Sequence, residues 1–458
     1  MSKTRITRRR FVAGLGAAAA APYIIPASAL GKDRPAPSTR INVGFIGYGT
    51  MAQDNIGNFL HDERVQVVSV ADCVKDAPLY GYSAERPGGR EPCRRRVNEF
   101  YAQKLNKADY DGCKAYNDFR ELLDKDALDA VVISTPDHWH ALQAVAAAKK
   151  GIHIYGQKPM SLCITEGRIM ADTVKQNNVT FQVGSQQRSD NYFRMACEFV
   201  RNGRLGKLER IEVGLPGGRN LFGKKGADVS PEPLAAPPAH IDFDMWLGPA
   251  KKRPFTPAIH SPMSWRENLD YSGGMITDWG AHHLDIMQWA LGKDDSGPVA
   301  VENLKSDLPP PGEVFNTASD YSFEVVYEDG TRAFVSNRFP NGVRFVGQGG
   351  KEIFVTRGKL ETKPEELIRE KIKDDEVKLY VSGSHERNFI DCIYSGNPTI
   401  TTCEIGHRSI TIAHLANIAL RLGKNKVQWD PKKEMFVNDP AADKLKTAPM
   451  ANTWALKG

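Results

Sequence analysis

The strongest constraint on the fold is a glycine turn set between a strand and a helix. Ile41-Asn42-Val43-Gly44-Phe45-Ile46 reads as a buried strand, and Gly47-Tyr48-Gly49-Thr50-Met51-Ala52 follows it into a helix ending near Leu60. Gly47 permits the tight turn, Gly49 lets a pyrophosphate approach the backbone, and Ala52 is small enough for helix–sheet packing. The start of the helix presents unpaired N–H groups to the phosphates. A second strand, Val65–Ala71, ends in Asp72. An acid there accepts hydrogen bonds from ribose hydroxyls and repels a 2′-phosphate, so NAD is expected over NADP. Arg94, Arg95 and Arg96 in the insertion that follows keep NADP open, because they could reach such a phosphate; a basic run is also commonly a solvated face.

The same alternation continues. A helix is expected at Asn117–Leu123 and a buried strand at Ala130–Ile133, stopping at Ser134-Thr135-Pro136. Asp137-His138-Trp139-His140 opens a helix through Ala141–Lys150, and a strand at Ile152–Tyr155 leads to Gly156-Gln157-Lys158-Pro159. Strands alternating with helices predict an α/β fold whose first part, residues 41–160, is a doubly wound Rossmann domain with ligands beyond the strand ends. From 161 to 430 the pattern turns α+β. Helices are expected at Ile164–Asn177, Tyr192–Asn202, His385–Tyr394 and His407–Leu422, and strands at Val179–Gly184 and Leu208–Gly214. Four further strands, at Asp320–Tyr327, Arg332–Phe339, Val343–Gln348 and Lys351–Thr356, predict a large, mostly antiparallel sheet. Pro216–Pro262 is expected to be a loop at the mouth of the site, and 431–458 a peripheral C-terminal tail.

Before the Rossmann segment come a basic head, an apolar stretch at Val12–Ile25 and the small residues Ala27-Ser28-Ala29, the pattern of a secretory signal over residues 1–29 followed by a linker at 30–40. Thr7-Arg8-Arg9-Arg10-Phe11-Val12 resembles a twin-arginine export signal; an ordinary secretory signal and an uncleaved anchor are the alternatives. The resemblance implies a periplasmic or otherwise exported protein that uses the twin-arginine machinery and folds around its cofactor before export. Of the formal net charge of +6, five charges lie on Lys3, Arg5, Arg8, Arg9 and Arg10, leaving +1 beyond the signal. That gives no electrostatic reason to expect nucleic acid or an anionic membrane as partner. Seven cysteines without CxxC spacing point to buried thiols rather than to a metal site, and no metal is expected.

The chain resembles the Gfo/Idh/MocA oxidoreductases (glucose–fructose oxidoreductase, inositol dehydrogenase and relatives) over residues 41–430. The residues that carry the resemblance are Ser134-Thr135-Pro136 with His140, Lys158-Pro159, and Gly273-Gly274 followed by Asp278, His282, His283 and Asp285. Gln157 stands where the family usually has Glu, which keeps hydrogen-bonding capacity but removes a charge beside Lys158. The resemblance implies a catalytic set of Lys158, Asp278 and His282. It places Thr135, Pro136, His140, Trp265 and Arg266 at the cofactor, and Gln186, Arg188 and His283 with the substrate. The residue types suit oxidation of a secondary alcohol. His282 is the natural base because imidazole titrates near neutrality, Lys158 can steady the oxygen, and Asp278 can bind hydroxyls or orient the histidine from one helical turn away. The implied activity is hydride transfer between tightly bound NAD and a hydroxyl of a sugar, glycoside or polyol, in a homo-oligomer. Two alternatives stay open: an NAD-dependent glycosidase working by transient oxidation and elimination, and a non-catalytic sugar-binding sensor.

Overall fold

In the computed structural model, the described residues are 39–78, 80, 86–218, 231–234, 236–261, 263–451 and 453–456. The signal expected at 1–29, and all of the linker but its last two residues, lie outside them.

The N-terminal part is a six-stranded, all-parallel sheet. Its strands are β1 (Ile41–Ile46), β2 (Val65–Ala71), β3 (Lys114–Tyr116), β4 (Ala130–Ile133), β5 (His153–Gly156) and β6 (Phe181–Val183), in the order β3-β2-β1-β4-β5-β6. Helices cover both faces, so the central strands are apolar without alternation, as a parallel sheet requires. Val43, Phe45, Val67, Val131 and Val132 are all fully buried. The order reverses between β1 and β4, which opens a crevice beyond their C-terminal ends.

The insertion after Asp72 contains a helix, Arg90–Lys104, that the basic run obscures. Cys93, Val97 and Tyr101, spaced one helical turn apart, turn inward and are buried. The three arginines are committed elsewhere than to a phosphate. Arg94 pairs with Glu91 and Asp111, Arg95 pairs with Asp76, and Arg96 donates to the Tyr48 hydroxyl and to the Gln53 carbonyl.

The second sheet has nine strands in the order β13-β12-β11-β7-β10-β9-β8-β14-β15. They are β7 (Leu208–Gly214), β8 (Ala300–Ser306), β9 (Tyr321–Val326), β10 (Arg332–Ser336), β11 (Gly342–Gly347), β12 (Glu352–Thr356), β13 (Lys359–Lys363), β14 (Lys426–Asp430) and β15 (Met435–Phe436). Only β7 and β10 run parallel; the other reported pairs are antiparallel. One face packs on the helices Asn191–Arg201, Gly280–Leu291 and Cys403–Arg421, and Tyr321, Phe323 and Val325 of β9 point into that core in strict alternation. Strand β8 escapes a reading by alternation because a register shift follows Glu302 and Asn303 takes a left-handed backbone (φ 56°), as at a bulge.

Two segments expected to be irregular carry structure. Within the loop expected at 216–262, residues 219–230 lie outside the described ones, but Phe243–Leu247 and Pro257–His260 are helical. Phe243, Trp246 and Phe255 form a small core there with Trp265 and Tyr271. This segment straps the cofactor end of the first sheet: the Lys75 amide donates to the His240 carbonyl (2.7 Å) and the Asp242 amide to the Cys73 carbonyl (3.0 Å). The segment expected to be a peripheral tail supplies β15 and a helix at Pro440–Lys444, with Phe436 and Ala442 buried. Beyond them Trp454 meets Trp139 edge-on at 4.8 Å, stacks near Phe119 at 6.2 Å and lies under the Arg120 guanidinium at 4.6 Å. The tail is thus part of the first domain's packing, which its polar composition did not reveal. Replacing Trp454 by Ala should lower unfolding stability by about 2 kcal/mol, read from urea denaturation, because it removes two aromatic contacts and one cation–π contact.

Candidate active site

The crevice at the strand ends is lined by Gly47, Gly49, Thr50, Met51, Asp72, Thr135, Pro136, Lys158, Trp265 and Arg266, ten of the residues expected to hold a dinucleotide. Gly47 has φ 86°, and a Cβ on it would lie 2.9 Å from the Ser134 backbone, so both conformation and space demand glycine. The helix Thr50–Leu60 starts at Gly49 with no side-chain cap, leaving its first amides directed at the crevice. Asp72 accepts the amides of Tyr48 (2.7 Å) and Val74 (2.8 Å). Burial raises its carboxyl and those two amides oppose the shift. A cradle that a Cβ would fill, the N-terminus of a helix and an acid fixed at the end of β2 fit a dinucleotide with an unphosphorylated ribose.

Three expected cofactor residues support the cleft from behind. Tyr48 is buried, with only its backbone bracing Asp72, and Ala52 is fully buried against the sheet. The ring nitrogens of His140 lie 2.7 and 2.9 Å from the Pro159 and Thr135 carbonyl oxygens, and burial pushes the imidazole down to about 4, so it is a neutral brace between two cleft segments. Sequence reasoning passed over Tyr80, whose ring would sit 3.2 Å from a Cβ on Gly49, and Asp137, whose carboxyl receives the Ser272 hydroxyl at 2.6 Å. Burial pushes Asp137 up to about 7. Tyr80 lies in the insertion, where no periodicity marked it; Asp137 was visible as the first residue after Thr135-Pro136.

Lys158 also lines a second cavity, of about 630 Å³, with Asp278, His282, Gln186, Trp279, Asn55, Arg357 and Glu386 among its walls. The two spaces therefore meet at this lysine, which stands at the end of β5. Lys158 Nζ donates to Asp278 Oδ1 at 2.8 Å, and Arg266 Nε donates to the same oxygen at 2.9 Å. Burial would raise the Asp278 carboxyl, but the two cations outweigh it and hold it down at about 2. Burial lowers the Lys158 ammonium; Asp278 acts against that shift and Arg266 adds to it. Of the two roles expected of Asp278, binding hydroxyls or orienting His282, the second is corrected: its hydrogen bonds run to the two cations, and among the described residues none reaches His282. The His282 imidazole sits well below its ordinary range, through burial and then the charges of Lys158 and Arg357, so it is neutral; its Nδ1 is buried without a partner.

Two residues expected at the substrate are elsewhere. His283 is fully buried, and its Nδ1 lies 2.7 Å from the Gly214 carbonyl oxygen, because successive helix positions point a quarter-turn or more apart. Arg188, 1% exposed, is clamped by Asp285 (2.8 and 2.7 Å) and Asp294 (3.0 and 2.8 Å), so its charge is already neutralised inside the fold. Gln186, two residues earlier, does face the cavity. Among the described residues no cluster of three or more metal-ligating side chains occurs, and no helix is long and apolar enough to cross a membrane.

A parallel sheet with a glycine turn and an acid at the end of its second strand, whose crevice adjoins at Met51 and Lys158 a cavity walled by both domains, defines a two-domain NAD-binding oxidoreductase. Known sequences place the chain within that class. The family model described as the oxidoreductase family, C-terminal alpha/beta domain, matches residues 198–456, and that for the NAD-binding Rossmann fold matches 93–185. The chain belongs to the Gfo/Idh/MocA oxidoreductase family and carries its NAD-binding Rossmann domain.

A myo-inositol 2-dehydrogenase of Thermotoga maritima is 33% identical over 254 residues, which are 56% of this chain and 56% of the relative. An alpha-N-acetylgalactosaminidase of Shewanella oneidensis is 30% identical over 174 residues, 37% of this chain and 33% of the relative. The chain thus spans about half of one curated relative and a third of the other. The WlbA dehydrogenase of Bordetella pertussis, solved with NADH and UDP-GlcNAcA, has the same fold, with a TM-score of 0.58, 16% identity, and coverage of 85% of this chain and 99% of that one.

Gly47→Ala should weaken NAD binding by at least about tenfold in a fluorescence titration, since the phosphate turn cannot form around a Cβ. Arg188→Ala should cost about 3 kcal/mol of stability, because it strands the buried carboxylate of Asp285 and unpairs the half-buried Asp294; a stable variant with only a raised KM would show that Arg188 serves the substrate instead.

Proposed function

We propose that the protein is an exported enzyme that oxidises a ring hydroxyl of a sugar, glycoside or polyol with tightly held NAD. The observation that carries this reading is the position of Lys158, which borders both the dinucleotide crevice and the cavity that holds Asp278 and His282. When bound, NAD supplies the hydride acceptor. The protein's part is proton control and placement. A substrate hydroxyl set between Lys158 and His282 meets a cation that stabilises developing negative charge on oxygen and a neutral imidazole able to take the proton. Asp278 keeps Lys158 in place and is too acidic to compete for that proton. The strap at 236–261 and Trp454 both pack against walls of the dinucleotide crevice, which supports slow loss of the cofactor. Retention suits a protein working outside the cytoplasm, the location that the Arg8-Arg9 signal supports. The outward face of the nine-stranded sheet is the natural place for contact between copies of the chain.

The enzyme purified from the periplasm should release stoichiometric NAD on acid treatment, identified by mass, and added glycosides should reduce the bound nucleotide. Lys158→Met and His282→Ala should each lower kcat by about 10²–10⁴ while the NAD content stays intact. Release of the aglycone without net reduction would instead establish redox-assisted glycoside cleavage, an outcome in keeping with the Shewanella relative being an alpha-N-acetylgalactosaminidase. Protein that neither contains nor takes up NAD would remove this reading and leave a sugar sensor.

A further inference from the structure

The wall of the cavity facing Lys158 contains a carboxylate that the proposed reaction does not use. Glu386 is 7% exposed and lines the same space as Lys158, Asp278 and His282. Three donors from the first domain hold it: Asn55 Nδ2 and the Tyr155 hydroxyl reach Oε1 at 2.5 and 3.3 Å, and Asn58 Nδ2 reaches Oε2 at 3.0 Å. A carboxylate offers about four acceptor sites, so one stays open toward the cavity. Among the described residues Glu386 forms no ion pair. Burying a carboxylate without a cation is expensive.

Helix formation alone does not account for this arrangement. Glu386 lies in the first turn of the helix His385–Ser395, where an acid is favourable, but an acid exposed to water would gain the same benefit. The amides that hold it also reach the catalytic strand end, since Asn55 Oδ1 accepts from Gln157 Nε2 at 3.4 Å, next to Lys158. The charged side chains lining the cavity are Asp54, Asp190, Asp278 and Glu386 against Lys158 and Arg357; Asp54 is paired with Arg86, and Asp278 with Lys158 and Arg266. Glu386, held by neutral donors, makes its own wall receptive to hydrogen-bond donors and unfavourable to a carboxylate placed against it.

We propose that Glu386 is a specificity-determining residue that binds a hydroxyl or ammonium donor of the sugar and excludes sugars bearing a carboxylate. The proposal rests on reading the cavity as a sugar site. It is tested with NAD-loaded, full-length protein on three probes: methyl glucoside, methyl glucosaminide and methyl glucuronide. Turnover is followed by both cofactor reduction and methanol release, and binding by calorimetry. The natural protein should disfavour the glucuronide by at least about tenfold against the other two, the scale of a lost charged hydrogen bond plus a like-charge contact. Glu386→Gln should shrink that discrimination about tenfold, with KM rising for the glucoside and glucosaminide, falling for the glucuronide, and bound nucleotide unchanged.

Equal handling of all three probes by the natural protein overturns the assignment, as does a Gln variant that loses the three in parallel. If the Gln variant loses its nucleotide, Glu386→Asp decides: it keeps the charge one methylene back, so its discrimination should survive with raised KM, and loss of discrimination overturns the proposal. Discrimination in binding without any turnover would sink the oxidoreductase reading and leave Glu386 as assigned. Turnover without discrimination would do the reverse.

Discussion

The architecture turns on a buried junction of charges. Lys158 arrives from the end of a parallel strand, Asp278 from a helix of the second domain and Arg266 from the helical turn Ser264–Glu267, and the two cations meet on one oxygen of Asp278. Such a cluster is expensive to bury and is retained only where each charge is satisfied. Here the second domain must close on the first at one relative position, or a buried cation is left unpaired. The dinucleotide crevice and the second cavity therefore share a fixed boundary. A second buried cluster, Arg188 with Asp285 and Asp294, plays a purely internal role a few residues away, tying the Gln186–Ser189 turn to the helix that carries His282. The two arginine clusters use the same chemistry, yet it is Arg266 and not Arg188 that lines the dinucleotide crevice.

This contrast shows what was legible in the sequence. The glycine turn, Asp72, Thr135-Pro136 and Lys158 could be placed because local rules govern them: a strand, a turn with φ above zero and a helix start all occur within a few residues. Alternation showed the strands from β9 to β12 for the same reason. Arg188 and His283 were misplaced because the same loop or helix offers a side chain to the cavity or to the core at adjacent positions, and nothing local says which. The helix at Arg90–Lys104 was concealed by charge, although Cys93, Val97 and Tyr101 recorded its inner face. Bulged β8 broke the period by which strands are recognised. Glu386 was illegible for another reason: its donors lie more than 200 residues away in sequence, so only the folded chain brings them together.

The electrostatics also explain why a family motif can lose a charge without losing its site. Gln157 sits where the family usually carries an acid, and its amide passes through Asn55 to Glu386. The negative charge on that side of the lysine comes from another domain, linked by side-chain amides rather than by direct contact. His282, surrounded by cations and out of water, is held neutral, so it enters the reaction as an acceptor of protons.

Trp454 has a consequence for how the protein is made. The walls it packs against, Phe119 and Trp139, belong to a domain whose sheet strands are all synthesised by residue 183, yet that packing is finished by an aromatic ring emerging some 270 residues later. On the ribosome, the first domain can assemble its sheet early but holds an incomplete nucleotide crevice until translation is nearly over. Cofactor capture is then tied to the finished polypeptide, which is the order of events that the proposed export of a loaded enzyme would require.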